Sequence, residues 1–325
     1  DQILAEAEEQ LRAVRAEMLR LAEPLHAELF AGASDPKDSG VERQNRIISE
    51  VLDRIADEHP KRGELISSVE RDLTGITAFI LEKRIVSLGP RDNLKVVPTP
   101  PFMRGVYSVA GFHPAPPLEP TAEAQYWVTP IDPRAPEEQA ESKLREYNDW
   151  VLKWLTIHEA LPGHYVQAEH ANNLRPERRR LIRTLFGNGP NVEGWAEYVA
   201  QVMMDAGFAG NDPRFRLSMR KIRLRLLANT ILDVRMHTKE MTDQEALDLM
   251  MRDAFQTRAE AEGKLRRAKL TSAQLPTYYV GFREWQALRE AREKAKGVDF
   301  DLQAFHDAAL DQGPLPVALL PTVMP

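Results

Sequence analysis

At 325 residues, with no cysteine and a formal net charge of −6, the chain excludes disulfides and thiolate metal ligands, and its charge argues against a general nucleic-acid binder. The length allows one large domain or two small ones with an ample core. No apolar run is long enough to span a bilayer.

Residues 1–30 read as one long helix, in which Leu4, Leu11, Met18 and Leu25 recur every seven residues with Ala7, Val14 and Leu21 between them. The pattern fits an amphipathic helix packed in a bundle better than a dimerising coiled coil. A polar Gly/Ser/Asp loop follows over 32–40. Two further helices are predicted over 41–58 and 62–86, parted near His59-Pro60. Between about 90 and 135 prolines are dense and the runs LKVVP, GVYSVAGF and QYWVTPI read as short strands.

From 139 the pattern is helical almost to the end. Leu144, Tyr147, Val151, Trp154 and His158 form one stripe, which places His158 where an apolar face meets something buried. Residues 212–240 predict a strong helix capped by Asp212 with Pro213 in its first turn. Along one face it carries Phe215, Met219, Ile222, Leu226, Thr230, Asp233 and His237, an apolar stripe that turns polar. Helices are also predicted over 243–254, 257–270, 278–295 and 301–311, while PLPVALLP is too Pro-rich for one. The expected fold is mainly α, an elongated helical scaffold with a small β-sheet beside the active-site helix. It divides into a helical subregion 1–90, a β/loop subregion 91–135 and a helical subregion 136–325, all in one region 1–325.

The chemistry-bearing stretch is His158-Glu159-Ala160-Leu161-Pro162-Gly163-His164. In an H-E-x-x-H helix two histidines four residues apart share a face and bind zinc, and the glutamate beside the first serves as base. Here the step is six, which on a regular helix turns His164 away from the face of His158. Pro162 removes a backbone donor and Gly163 tolerates strained dihedrals, so a local bulge is expected to bring the two back together. Glu193, in VEGWAEY, is the candidate third ligand. Its competing reading is a first-turn acid behind Asn191 as helix cap. Glu197, one turn on, either orients a ligating imidazole or sits on the surface. Two His and one Glu leave the fourth zinc position for water, whose proton Glu159 would take and pass to the leaving group.

HEALPGHYVQ and VEGWAEY resemble the bacterial family known as domain of unknown function 885, which is placed in the thermolysin-like (gluzincin) clan of zinc metallopeptidases. The region Asp233 to His237, the segment PTYYVGFREWQALRE and the ending FDLQAFHDAALDQGPLPVALLP extend the resemblance along most of the chain. It implies one Zn²⁺ on His158, His164 and Glu193, Glu159 as general base, and a short peptide as substrate. VEGWAEY is also similar to the NEGFA segment of zinc aminopeptidases, whose glutamate binds metal. Members are usually much longer and often carry an N-terminal secretion signal. The resemblance therefore implies the C-terminal half of such a protein, a periplasmic or secreted location, and an N-terminal half as partner. In thermolysin-like enzymes a strand beside the active helix pairs with the substrate backbone, a role open to GVYSVAGF or QYWVTPI.

For the oxyanion donor the resemblance favours Tyr278, through the family's Tyr-x-x-Gly pattern. His237, oriented by Asp233, is the rival, followed by Tyr279 and His306. The basic run Arg175, Arg178, Arg179, Arg180 and Arg183 reads first as a solvated helix face and second as a carboxylate clamp. Two other readings stay open: a zinc hydrolase of a non-peptide amide or ester, and a catalytically inactive helical binding scaffold.

Overall fold

The structure is a computed structural model that describes residues 1–32, 37–89, 91–104, 107 and 109–325. Part of the predicted polar loop and residues Gly105, Val106 and Ser108 of GVYSVAGF therefore lie outside the described residues. In chain order the helices α1 (Gln2–Leu29), α2 (Gly40–Ala56) and α3 (Leu65–Lys83) precede the strands β1 (Leu94–Pro98), β2 (Ala110–His113) and β3 (Ala124–Val128). Then come α4 (Glu137–Glu146), α5 (Asp149–Glu159), α6 (His164–Asn172), α7 (Glu177–Leu185) and α8 (Gly189–Asp205). The chain closes with α9 (Pro213–Thr238), α10 (Asp243–Asp248), α11 (Arg258–Leu270), α12 (Thr277–Lys296) and α13 (Leu302–Leu310). The mainly α class and the small sheet are as the sequence predicts. No helix among the described residues is long and apolar enough to cross a membrane.

The chain forms two compact units that interleave along the sequence, Asp1–Glu58 with Ala209–Tyr279, and His59–Phe208 with Val280–Pro325. In the first, α1 packs on α9 and α2. It buries Ala7, Leu11, Val14, Met18 and Ala22, so it is a bundle helix. Ala22 takes the inward place and Leu25 is only half-buried, because a straight helix drifts off a seven-residue repeat. Asp212 caps α9 by accepting from Arg214 N–H at 2.8 Å, with Pro213 at the first helical position. The predicted helix 243–254 is instead α10 followed by a π-turn over Leu249–Asp253. Two carbonyls at the end of that turn accept from the buried Arg15 guanidinium, Arg252 O at 3.2 Å and Asp253 O at 2.7 Å. Capping boxes at Thr242/Glu245 and Thr257/Glu260 start α10 and α11.

In the second unit the strand order is β1-β3-β2, with β1 parallel and β2 antiparallel to β3. The register pairs Val96 with Tyr126 and Phe112 with Tyr126 on either side of the central strand. Helix α3 packs on β1, α5 packs on β2 and α3, and α8 packs on α5. Tyr126, fully buried on β3, reaches Thr156 of α5 with its hydroxyl 3.5 Å from Oγ1. The QYWVTPI run is thus the middle strand, and both its edges are already paired. It cannot accept a substrate backbone, whereas β2 lies at an edge among the described strands.

The stripe from Leu144 to His158 is not one helix. Helix α4 stops at Glu146, and Asn148 caps α5 by accepting from the N–H groups of Trp150 and Val151 at 3.1 and 3.2 Å. An Asn side chain that competes for backbone donors favours a new helix start over helix continuation. The C-terminal PLPVALLP forms no α-helix, but Val317–Thr322 adopts a short 3₁₀ turn.

Candidate metal centre

Two helix ends and one helix middle build this centre. His158 is the penultimate residue of α5 and Glu159 its last; His164 opens α6. The expected bulge within one helix is a break between two. Pro162 has no N–H to continue the ladder. The Gly163 N–H passes over His158 and bonds Ile157 O at 3.0 Å, while the N–H groups of Leu161 and Tyr165 bond Thr156 O and Ala160 O, each five residues back. This wide turn needs glycine, since a Cβ on Gly163 would lie 1.9 Å from His158 O and 2.4 Å from Ile157 O. The Leu161–Pro162 bond is cis.

The turn puts the two imidazoles edge to face, with ring centroids 4.7 Å apart. Glu193 of α8 faces both: its Oε2 lies 3.6 Å from His158 Nε2 and 3.5 Å from His164 Nε2. Among the described residues these three form the only cluster of metal-ligating side chains, their donor atoms all within 4.8 Å of one another. Donors at ~2.1 Å from a tetrahedral zinc are separated by ~3.4 Å. The two carboxylate–imidazole distances therefore fit one shared ion with little movement.

Glu193 is no capping residue. Asn188 caps α8 by accepting from Asn191 N–H at 2.9 Å, which corrects the assignment of Asn191 as cap and leaves Glu193 as the fifth helical residue. Asn191 is buried, and its carbonyl groups accept from Gln167 Nε2 at 2.9 Å and Trp285 Nε1 at 3.0 Å. Glu197 is no surface acid: it is buried, with Oε1 3.4 Å from His158 Nδ1. That separation is long, and the alignment falls short of a full hydrogen bond. Nδ1 of His164 is buried with no hydrogen-bond partner.

The carboxylates set the charge state. Burial pushes the His158 imidazole down, but Glu193, Glu197 and Glu159 overcome it and raise its pKa to about 9. Burial pushes the Glu193 carboxyl up, and hydrogen bonding to His158 and His164 outweighs it, holding Glu193 well below the usual carboxylate range. Without a metal the cluster is a buried imidazolium–carboxylate pair. Glu159 is half-buried beside His158 at the end of α5.

The remaining predicted site residues go elsewhere. His237 is exposed at the end of α9, and its Nε2 sits 3.1 and 3.0 Å from the carbonyl oxygens of Ala268 and Thr271. Asp233 Oδ1 accepts from Ala273 N–H at 3.1 Å, so the two side chains tie α9 to the segment after α11 instead of forming an Asp–His pair. Tyr278 is half-buried in the first turn of α12, and Tyr279 is buried and donates to Glu6 Oε1 at 3.0 Å. His306 is fully buried in the second unit: Nδ1–H donates to Ile85 O at 2.6 Å and Nε2 accepts from Tyr198 OH at 2.9 Å. Burial lowers its pKa to about 3, so it is a neutral structural histidine with both nitrogens occupied. Of the arginine run, Arg179 donates to Gln312 Oε1 at 2.6 Å, Arg183 to Gln312 O at 3.1 Å, and the buried Arg180 to Glu177. Arg179 and Arg183 thus hold the C-terminal segment, while Arg175 and Arg178 are exposed as on a solvated face.

Helix α8, which carries Glu193, crosses α12 at close quarters. A Cβ on Gly281 of α12 would lie 1.8 Å from Pro190 O of α8, and one on Gly194 would lie 2.3 Å from the backbone of Gly281. Gly281 lies in the PTYYVG run, and its use is a contact that only packing reveals.

Residues 1–324 match the family described as "Bacterial protein of unknown function (DUF885)", and the chain belongs to that family. No curated protein matches it. Among solved structures it is similar to a "putative lipoprotein of unknown function" from Shewanella oneidensis, at 38% identity and a TM-score of 0.88, over 99% of this chain and 55% of that one. A "putative lipoprotein" from Colwellia psychrerythraea shares the fold at 22% identity and a TM-score of 0.80, over 98% of this chain and 50% of that one. The chain thus spans about half the length of these solved relatives.

Proposed function

We propose that the protein is a zinc-dependent hydrolase of peptide bonds. The observation that carries this reading is the convergence of His158, His164 and Glu193 on one point, with Glu159 adjacent in sequence and Glu197 behind His158. Two imidazoles and one carboxylate are a donor set suited to Zn²⁺ that leaves one position open. Zinc held there supplies Lewis acidity to a carbonyl and acidifies water. Glu159 accepts the water proton and hands it to the leaving amine. Glu197, 3.4 Å behind Nδ1 of His158, favours a proton on that nitrogen, which leaves Nε2 as the donor atom. Tyr278 is the proposed oxyanion donor and His237 its rival.

The edge strand β2 supports a peptide over a small ester or amide. It packs on α5, the helix that presents His158, and it is an edge strand of the described sheet, the position at which an extended chain adds. The descriptions of the solved relatives support a place in the cell envelope.

The test is metal content together with cleavage of a short-peptide panel, for this chain and for a full-length relative side by side. One zinc per chain and peptide turnover are expected. In Glu159→Gln zinc stays and turnover falls ~10²–10⁴-fold, the usual scale of general-base loss. Substoichiometric zinc in the wild type, or turnover unchanged in Glu159→Gln, overturns the reading.

A further inference from the structure

Trp195 joins the two motifs of the candidate centre. It is fully buried on α8, two residues after Glu193. Its indole N–H points at the turn between the histidines, with Nε1 3.0 Å from Pro162 O and 3.3 Å from Gly163 O. A turn whose proline cannot extend a helical ladder displays carbonyl groups toward the core, and a buried carbonyl needs a donor. The indole is that donor. Its ring is itself held on three sides, by Trp285 and His306 at centroid distances of 5.1 Å each and by Tyr198 at 5.9 Å. Those neighbours are fixed in turn, Trp285 through its bond to Asn191 O and Tyr198 through His306. The segments VEGWAEY, FREW and FHDAAL thus build one aromatic block behind the ligands, ending in a single N–H directed at HEALPGH.

We infer that Trp195 is a positioning residue: its indole N–H fixes the Ala160–Gly163 turn and thereby the separation of His158 and His164. The inference rests on the metal reading proposed above. It explains how a step of six residues serves where four is usual. The extra turn gives up helical hydrogen bonds, and α8, which also carries Glu193, restores one of them. The third ligand and the brace for the other two are then parts of one rigid helix. Residues that orient metal ligands from behind typically contribute 10- to 100-fold in affinity.

The experiment compares wild type, Trp195→Phe, Trp285→Phe and His158→Ala. It reads Zn²⁺ dissociation constants, the visible spectrum of the Co²⁺-loaded proteins, and amide exchange at Gly163 and Tyr165. Trp285→Phe shrinks a ring of the same aromatic block and removes its bond to Asn191 O without removing a donor to the turn, so it reports core loss and a weakened α8 apart from the bond to the turn itself. Trp195→Phe is expected to weaken zinc at least 10-fold, shift the Co²⁺ spectrum and speed exchange at both amides. Trp285→Phe should stay within about threefold of wild type in affinity. If Trp195→Phe does not fold, benzothienylalanine at position 195 keeps the bicyclic shape and lacks only the N–H. Equal zinc affinity in the position-195 and position-285 variants, beside a wild type that binds and a His158→Ala that does not, overturns the role of Trp195 and leaves the metal reading standing. A wild type that binds zinc no better than His158→Ala overturns both.

Discussion

The turn at 160–163 and the C-terminal end of α9 carry the same kind of sequence signal, a histidine near a carboxylate at the end of an apolar stripe, and the fold uses them in opposite ways. At the first, three carboxylates surround His158 and raise its pKa to about 9, the facing donor atoms of His158, His164 and Glu193 lie within 4.8 Å of one another, and both Nδ1 atoms are buried without a hydrogen-bond partner. At the second, His237 reaches the backbone carbonyls of Ala268 and Thr271, and Asp233 takes a backbone N–H. In the first region buried imidazoles and carboxylates face one another across a small gap. In the second, His237 Nε2 and Asp233 Oδ1 are held by backbone groups and the pair works as a structural joint, with Asp233 Oδ2 buried without a hydrogen-bond partner.

The largest effect that separates the two regions is expected at Gly163. A Cβ there meets two backbone carbonyls, so Gly163→Ala should abolish zinc binding and lower Tm sharply. Gly187→Ala, in open space, should leave both unchanged. Zinc titration with thermal melting checks this pair, and a metallated Gly163→Ala protein would show that the close approach is dispensable.

Next in size is the oxyanion donor. Tyr278→Phe is expected to lower kcat ~10²-fold with little change in KM. His237→Ala should lower kcat less, because its Nε2 is already engaged by two carbonyls. A reversed order in steady-state kinetics would make the end of α9 part of the catalytic machinery and erase the contrast.

A pH effect follows from the ion pair. His158 titrates at about 9, above its ordinary 6.5, so protonated His158 stabilises the metal-free fold fully below about 6.5 and less as pH rises through 9. Glu193 is depressed below its ordinary 4.5, so its contribution is full above about 4.5 and is lost as pH falls through its folded value. The Tm difference between metal-free wild type and Glu193→Gln should therefore be greatest between about pH 4.5 and 6.5 and should shrink toward pH 10. Zinc affinity should rise over the neutral-to-alkaline range, since binding displaces the His158 proton. His237→Gln should change neither profile.

The smallest effects are at helix starts. Asn148→Ala, at the cap of the helix that presents His158, should cost about 1 kcal/mol, as should Asp212→Ala at the cap of α9. Denaturant unfolding measures both. If only the Asn148 variant also weakens zinc, the start of α5 is coupled to its functional end.

Much of the architecture can be read from the chain. Local rules suffice for α1, where the apolar spacing is regular, and for α9, where Asp212 and Pro213 mark the start. LKVVP becomes β1 as a short β-branched run between polar and proline residues. The break at Tyr147–Asn148 is less visible, because the apolar stripe continues in phase across it and only the Asn side chain betrays a new start. QYWVTPI shows its β character but not its place in the middle of the sheet, since strand order is a long-range property.

For the candidate centre, the sequence by itself determined which residue types are present and at what spacing: two histidines, an adjacent glutamate, and a second glutamate downstream in a chain without cysteine. Only the tertiary structure decided that the insert is a break between two helices and that Asn188 caps α8 in place of Asn191. It also decided that Glu197 lies behind His158, that His306 is neutral and fully bonded, and that Trp195 braces the turn. The reason is physical. Spacing along one helix or strand is set by backbone geometry that every residue shares, so it is legible locally. The state of a buried polar atom depends on which donors and acceptors distant segments bring within about 3 Å, and that is fixed only when the core closes.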